Sequence, residues 1–115
     1  MKSAIIEAPM NLQAYVLSAN SVEVTWNRSG IKTTISNTSY EITFEATNNN
    51  EHHQRKGFFL TSNQLFIVQN LHPFSEYLIS VTSIDQTGAR SKAASVKAVT
   101  FAAGEYMQFS VTLSK

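Results

Sequence analysis

The sequence predicts an all-β protein, namely a seven-stranded antiparallel Greek-key β-sandwich. Three observations lead to this prediction. Apolar residues recur with a period of two, turn-rich segments separate these runs, and no window as long as a helix has a helical apolar period. Alternation over about five to eight residues places the apolar side chains on one face of a strand, as in an antiparallel sheet with one face in water.

Each predicted strand is a short alternating or apolar run that ends at a turn-forming segment. In the second strand Val22, Val24 and Trp26 alternate with polar residues, and the third and sixth strands repeat this pattern. Segments rich in Ser, Asn, Gly and Asp lie between the runs and provide the turns. Seven short strands at this spacing are typical of a sandwich. We expect them near residues 10–16, 21–27, 39–47, 57–61, 64–69, 76–84 and 93–101.

Tyr77 opens the sixth predicted strand, directly after a loop that contains Leu71 and Pro73. In a Greek-key sandwich such a loop crosses between the sheets, and its backbone N–H groups have no ladder partner. Each costs about 1–3 kcal/mol if it is buried unpaired. A tyrosine here can place its ring on the core and its hydroxyl on that backbone, which is the tyrosine corner. We therefore predict a core that contains Trp26, Tyr40, Ile42, Leu71, Tyr77, Ile79 and Val81.

Composition and charge exclude several classes of function. The chain has 115 residues, which corresponds to one domain, and its 9 basic and 8 acidic residues leave a net charge of +1. Nucleic acid or an acidic membrane would require a one-sided basic field, which this balance does not provide. The absence of cysteine excludes disulfides and thiol chemistry. We also expect neither a signal peptide nor a membrane-inserting stretch in this segment.

From about Ala8 to Phe101 the chain resembles a fibronectin type III domain. Trp26 on the second strand, the third-strand alternation and the segment VQNLHPFSEYLISV carry the resemblance, and the cysteine pair of antibody domains is missing. The loop at 28–39 is longer than the family's usual loop at this place. We therefore expect a domain over residues 8–101, preceded by linker or cloning residues 1–7 and followed by a C-terminal extension 102–115.

The histidines and acidic residues do not form a convincing catalytic or metal site. His52 and His53 are adjacent, so on an extended chain they point in opposite directions and cannot both bind one metal ion without a tight turn. His72, Ser75 and Glu76 lie close together in the crossover, but sequence neighbours on a turn rarely form a catalytic triad. We expect no catalytic residue, no metal and no cofactor, and therefore no enzyme activity.

Two further features bear on binding and on modification. The resemblance implies that Gly88 and Arg90 lie in the loop that carries the integrin-binding tripeptide in a fibronectin domain, but here no Gly-Asp follows the arginine. Arg90 is then either an adhesive side chain or an ordinary loop charge. Asn27 and Asn37 each begin an acceptor tripeptide for N-glycosylation. Asn37 is the better acceptor because it lies in a predicted loop.

The C-terminal segment EYMQFSVTLSK has the alternation of a strand, with apolar residues at Met107, Phe109, Val111 and Leu113. It is either the beginning of a next module or an eighth strand on an edge of this sandwich. If Phe66 and Val68 face the core, Leu65 and Ile67 face outward and offer it an apolar surface. An unpaired apolar strand can also pair with a second copy, so self-association through residues 105–113 is a further expectation.

The resemblance implies a non-catalytic protein-interaction or spacer module of an extracellular cell-surface or secreted protein, of the adhesion, receptor or matrix type. Its partners would be other proteins or neighbouring domains of the same chain, and no nucleic acid. Two alternatives stay open. One is an accessory domain of a secreted polysaccharide-degrading enzyme and the other is an intracellular muscle-filament module, and flanking sequence would discriminate between the three.

Overall fold

A computed structural model describes residues 6–28, 38–47 and 56–103 and contains the seven predicted strands. They form an antiparallel sandwich of two sheets, with strand orders β1-β2-β5 and β4-β3-β6-β7. No helix in these described ranges is long and apolar enough to cross a membrane. The strands are β1 (Met10–Val16), β2 (Val22–Asn27), β3 (Ser39–Ala46), β4 (Lys56–Thr61), β5 (Leu65–Val68), β6 (Glu76–Ile84) and β7 (Ala94–Val99).

The period of two places one set of side chains between the sheets. In β3, residues 40, 42, 44 and 46 are buried while Thr43 and Glu45 are exposed, and β6 buries every second residue from Tyr77 to Ser83. All seven residues that we predicted for the core lie in one buried cluster. This cluster also contains Val22, Val24, Phe44, Ala46, Val68 and Ala98.

Aromatic contacts organise this core. Trp26 packs edge-on against Tyr40, with ring centroids 5.3 Å apart, and burial raises the pKa of the Tyr40 hydroxyl above its ordinary value. Phe59 of β4 meets Phe66 of β5 at 4.7 Å, so that this pair also links the two sheets. Phe59 also stacks on Phe44 at 5.9 Å. Aromatic contacts therefore join residues of both sheets.

Three predictions made from the sequence concern residues outside the described ranges. They are the acceptor Asn37 in the loop between β2 and β3, the histidine pair His52 and His53, and the strand expected at 105–113. These stay predictions.

Replacing Trp26 by alanine should reduce the free energy of unfolding by about 3–5 kcal/mol, because it removes a large buried aromatic side chain and its contact with Tyr40. Chemical denaturation measures this directly. Tyr15→Ala is the matched control, since Tyr15 is an exposed aromatic residue on β1 and should change stability by less than about 0.5 kcal/mol. Equal effects of the two substitutions would contradict the central role of Trp26.

Candidate interaction surface

The crossover between β5 and β6 is held by two buried hydroxyl groups. The Tyr77 hydroxyl accepts a hydrogen bond of 2.9 Å from the backbone N–H of His72, and the Tyr77 side chain is 0% exposed. The Thr100 hydroxyl accepts a hydrogen bond of 2.9 Å from the N–H of Ser75 and donates one of 2.7 Å to the carbonyl oxygen of His72. The arrangement of Tyr77 is that of a tyrosine corner, and Thr100 reinforces it.

The beginning of the same crossover is fixed to the turn between β1 and β2. The Leu71 N–H donates to the Asn20 carbonyl oxygen at 3.0 Å, and the Asn20 side-chain amide donates back to the Leu71 carbonyl oxygen at 2.8 Å. The Leu71 side chain is buried in the core. The beginning of the crossover is therefore anchored both by these two hydrogen bonds and by its buried leucine.

Phe74 is the unusual residue of this crossover. Its backbone φ is 47°, in the left-handed region that bulky residues avoid, and its side chain is 77% exposed. Its N–H donates to the Phe101 carbonyl oxygen at 2.9 Å, which holds the backbone in place. Left-handed backbone at a residue other than glycine costs about 1–3 kcal/mol and is found most often at functional sites. Phe74 is thus a rigidly presented, exposed aromatic residue.

The loop between β6 and β7 is organised by one carboxylate. Asp85 Oδ1 accepts hydrogen bonds from the Thr87 hydroxyl, from the Thr87 N–H at 2.9 Å and from the Ala89 N–H at 3.0 Å. The hydrogen bond from the Thr87 hydroxyl, together with those from the backbone, holds the pKa of the Asp85 carboxyl below its ordinary value. Gly88 follows with a φ of 93°, a conformation that glycine adopts without steric cost.

Arg90 is already engaged within the domain. Its guanidinium forms an ion pair with Glu41 on the outer face of β3, although the Arg90 side chain is still half exposed. The loop that we predicted as a binding loop from Gly88 and Arg90 is therefore preorganised, and its arginine is oriented across the sheet. Its use in binding stays a prediction.

The remaining sequence candidates lie on different elements of the fold. His72 lies in the crossover, where its backbone serves the tyrosine corner, and no group of three metal-ligating side chains occurs among the described residues. Asn27 is exposed at the end of β2. Leu65 and Ile67 face outward on β5 while Val68 is buried and Phe66 packs against the core, as the alternation predicts.

Sequence reasoning missed Thr100 and the exposure of β4. Thr100 continues the inward phase of β7, after Val96 and Ala98, so a polar residue in an apolar phase was the available signal. On β4, Phe58 and Leu60 face outward from the sheet and are 61% and 63% exposed. Together with Phe74, they are the most exposed large apolar side chains among the described residues.

Comparisons with known proteins agree with this fold. The family model of the fibronectin type III domain matches residues 7–99. The third fibronectin III domain of human KIAA0343 protein has a TM-score of 0.70 and 20% identity, covering 94% of this chain and 97% of that chain. Domains d3-d4 of the rat CD45 extracellular region have a TM-score of 0.71 and 18% identity, covering 87% of this chain and 52% of that chain.

A crystal structure of titin domains has a TM-score of 0.69 and 20% identity, covering 84% of this chain and 32% of that chain. No curated protein matches the sequence. At these identities the structural likeness establishes the fold alone, and the family match establishes the family.

Tyr77→Phe should reduce the free energy of unfolding by about 1–3 kcal/mol, because it leaves the ring in the core and removes the acceptor of the His72 N–H. Denaturant unfolding reports the loss. Tyr15→Phe is the control, since the hydroxyl of exposed Tyr15 contacts the exposed side chain of Gln13 and its removal should be nearly neutral. A neutral Tyr77→Phe would mean that the hydroxyl does not support the crossover.

At position 74, glycine should be more stable than alanine, by about 1 kcal/mol, although the usual order is the reverse. Both Phe74→Gly and Phe74→Ala remove the exposed ring, so their difference isolates the cost of a Cβ atom at a φ of 47°. Thermal and denaturant unfolding of the pair measure it. If Phe74→Ala is the more stable variant, the left-handed backbone is not strained.

Proposed function

Because this chain belongs to the fibronectin type III family, we propose that it is a non-catalytic protein-interaction or spacer module of a larger extracellular protein of the adhesion, receptor or matrix type. One observation carries this proposal. Exposed apolar side chains, above all those of Phe58, Leu60 and Phe74, are presented by a rigid frame of strands and hydrogen-bonded loops. Exposed apolar groups on a preorganised frame suit protein partners, because little conformational entropy is lost on binding.

Two kinds of observation support an extracellular setting. The structure of the rat CD45 extracellular region is similar, and the chain has two acceptor tripeptides for N-glycosylation, at Asn27 and Asn37. Titin domains have a similar structure as well, which keeps a muscle-filament module as the second candidate. Glycosylation discriminates between the two, because a cytosolic protein meets no oligosaccharyl transferase.

The partners that we propose are other proteins or neighbouring domains of the same chain. The domain spans residues 8–101 in this proposal, and residues 102–115 lead into a next module or form a strand that pairs with an edge or with a second copy. Their alternating apolar residues support either role.

We expect Asn37 to carry an N-glycan, and Asn27 to carry less or none, when the chain is expressed through a eukaryotic secretory pathway. Asn27 is the last residue of β2 and directly follows the buried Trp26, so it lies close to the sheet. Mass spectrometry before and after glycosidase treatment measures the occupancy of each site. Asn37→Gln and Asn27→Gln assign the signal, and an unmodified Asn37 would count against an extracellular role.

A further inference from the structure

β4 is an edge strand, and no described strand pairs with its outer backbone groups. It lies at the end of the four-stranded sheet and pairs with β3 alone among the described strands. Soluble proteins usually protect such an edge with charged residues, a proline or a bulge. Between residues 57 and 61, β4 has none of these: its sequence there is GFFLT, and its register with β3 runs without a shift. Its one charged residue, Lys56, is at the beginning of the strand.

The side chains of β4 are also unusually apolar for an edge. Phe58 and Leu60 lie on the outer face of the sheet, while Phe59 points inward, stacks on Phe44 and is still 38% exposed. Apolar side chains therefore flank the free edge on both faces. A strand that pairs there gains backbone hydrogen bonds and apolar contacts at the same time.

We propose that β4 pairs antiparallel with β4 of a second copy of this chain, which joins two four-stranded sheets into a continuous eight-stranded sheet. The argument for a second copy is that the strand is self-complementary. Backbone N–H and C=O groups point alternately to the two sides of a strand, so a twofold axis allows only registers in which paired residue numbers have an even sum. Few registers meet this condition.

Among the registers that meet this condition, the one centred on Phe59 matches the apolar side chains best. It places Phe58 opposite Leu60 of the second copy, and Phe59 opposite Phe59 of the second copy. Every apolar residue then faces an apolar residue on the same side of the sheet. The register centred on residue 58 instead places Leu60 opposite Lys56, and the one centred on residue 60 places Phe58 opposite Ser62. No like charges meet in the preferred register.

The contact is a small one. Six residues from each copy, with two outward apolar side chains each, bury less than the roughly 1,200 Å² of a standard stable interface. The dimer should therefore be weak and concentration-dependent. This inference depends neither on the compartment nor on the parent protein, so it stands or falls separately from the function proposed above.

The first test is sedimentation velocity of the full chain from about 10 μM to 1 mM, the range expected for a weak interface. The wild type should show a reversible monomer–dimer equilibrium, and Leu60→Lys should raise the dissociation constant at least tenfold. Leu60 is paired with Glu41 on β3, so a lysine there is compatible with the folded sheet. Circular dichroism checks that this variant remains folded. Leu78→Lys is the matched control, because Leu78 faces outward from the same sheet on the central strand β6, and it should leave the dissociation constant unchanged.

The second test determines the register. Because the chain contains no cysteine, any disulfide must form between the introduced cysteines. Phe58→Cys and Leu60→Cys are oxidised separately and as a mixture. Opposed residues in an antiparallel pair lie within disulfide range, whereas diagonal ones do not. The mixture should form a disulfide-linked heterodimer at least tenfold faster than either variant forms a homodimer, and mass spectrometry distinguishes the products.

Three results would overturn the proposal. One is a chain that stays monomeric throughout this concentration range. Another is a dimer that Leu78→Lys weakens as much as Leu60→Lys does. The third is a dimer that persists in Leu60→Lys but is lost when residues 104–115 are deleted, which would assign self-association to the C-terminal segment.

Discussion

The backbone of the crossover from β5 to β6 is the constraint on which the rest of the structure depends. This segment must leave one sheet and enter the other over the end of the core, where no strand can pair with it. The hydroxyls of Tyr77 and Thr100 satisfy the N–H groups of His72 and Ser75. Because the Tyr77 ring also packs against Phe44 in the core, the same side chain connects loop geometry to core packing. A substitution that disturbs the packing of this ring should therefore also weaken the hydrogen bond that holds the crossover.

A fixed crossover explains how a strained residue can persist in it. The backbone of Phe74 lies between residues whose hydrogen bonds are satisfied on both sides, so the surrounding structure determines its left-handed conformation. At the other end of the sandwich, Asp85 determines the loop that precedes Arg90 in a similar way. Both ends therefore present side chains from preorganised loops, which lowers the entropy cost of binding.

The fold was predictable because its determinants are local in sequence. An alternating strand needs only its own residues, and Leu71, Pro73 and Tyr77 lie within a single loop and strand. Thr100 could be noticed only as a polar residue in the inward phase of β7, and its partner Ser75 lies 25 residues away, so spacing could not predict the contact. Likewise the ion pair of Arg90 with Glu41 depends on how the β6–β7 loop lies over β3, which no spacing encodes. Contacts between residues that are distant in sequence could thus not be predicted from residue spacing.

For β4, the sequence did not indicate which of its apolar residues would be exposed. An apolar run such as GFFL suggests burial, yet neighbouring residues of a strand point to opposite faces, so one core cannot bury them all. Phe59 takes the inward position beside Phe44 and Phe66, and Phe58 and Leu60 are left outside. In a central strand a second layer of structure would cover them, whereas at an edge an added strand can cover them and pair with the outer backbone at the same time. The outward residues of β4 are thus not required by this domain's own core, and their exposure is what a surface for a second chain requires.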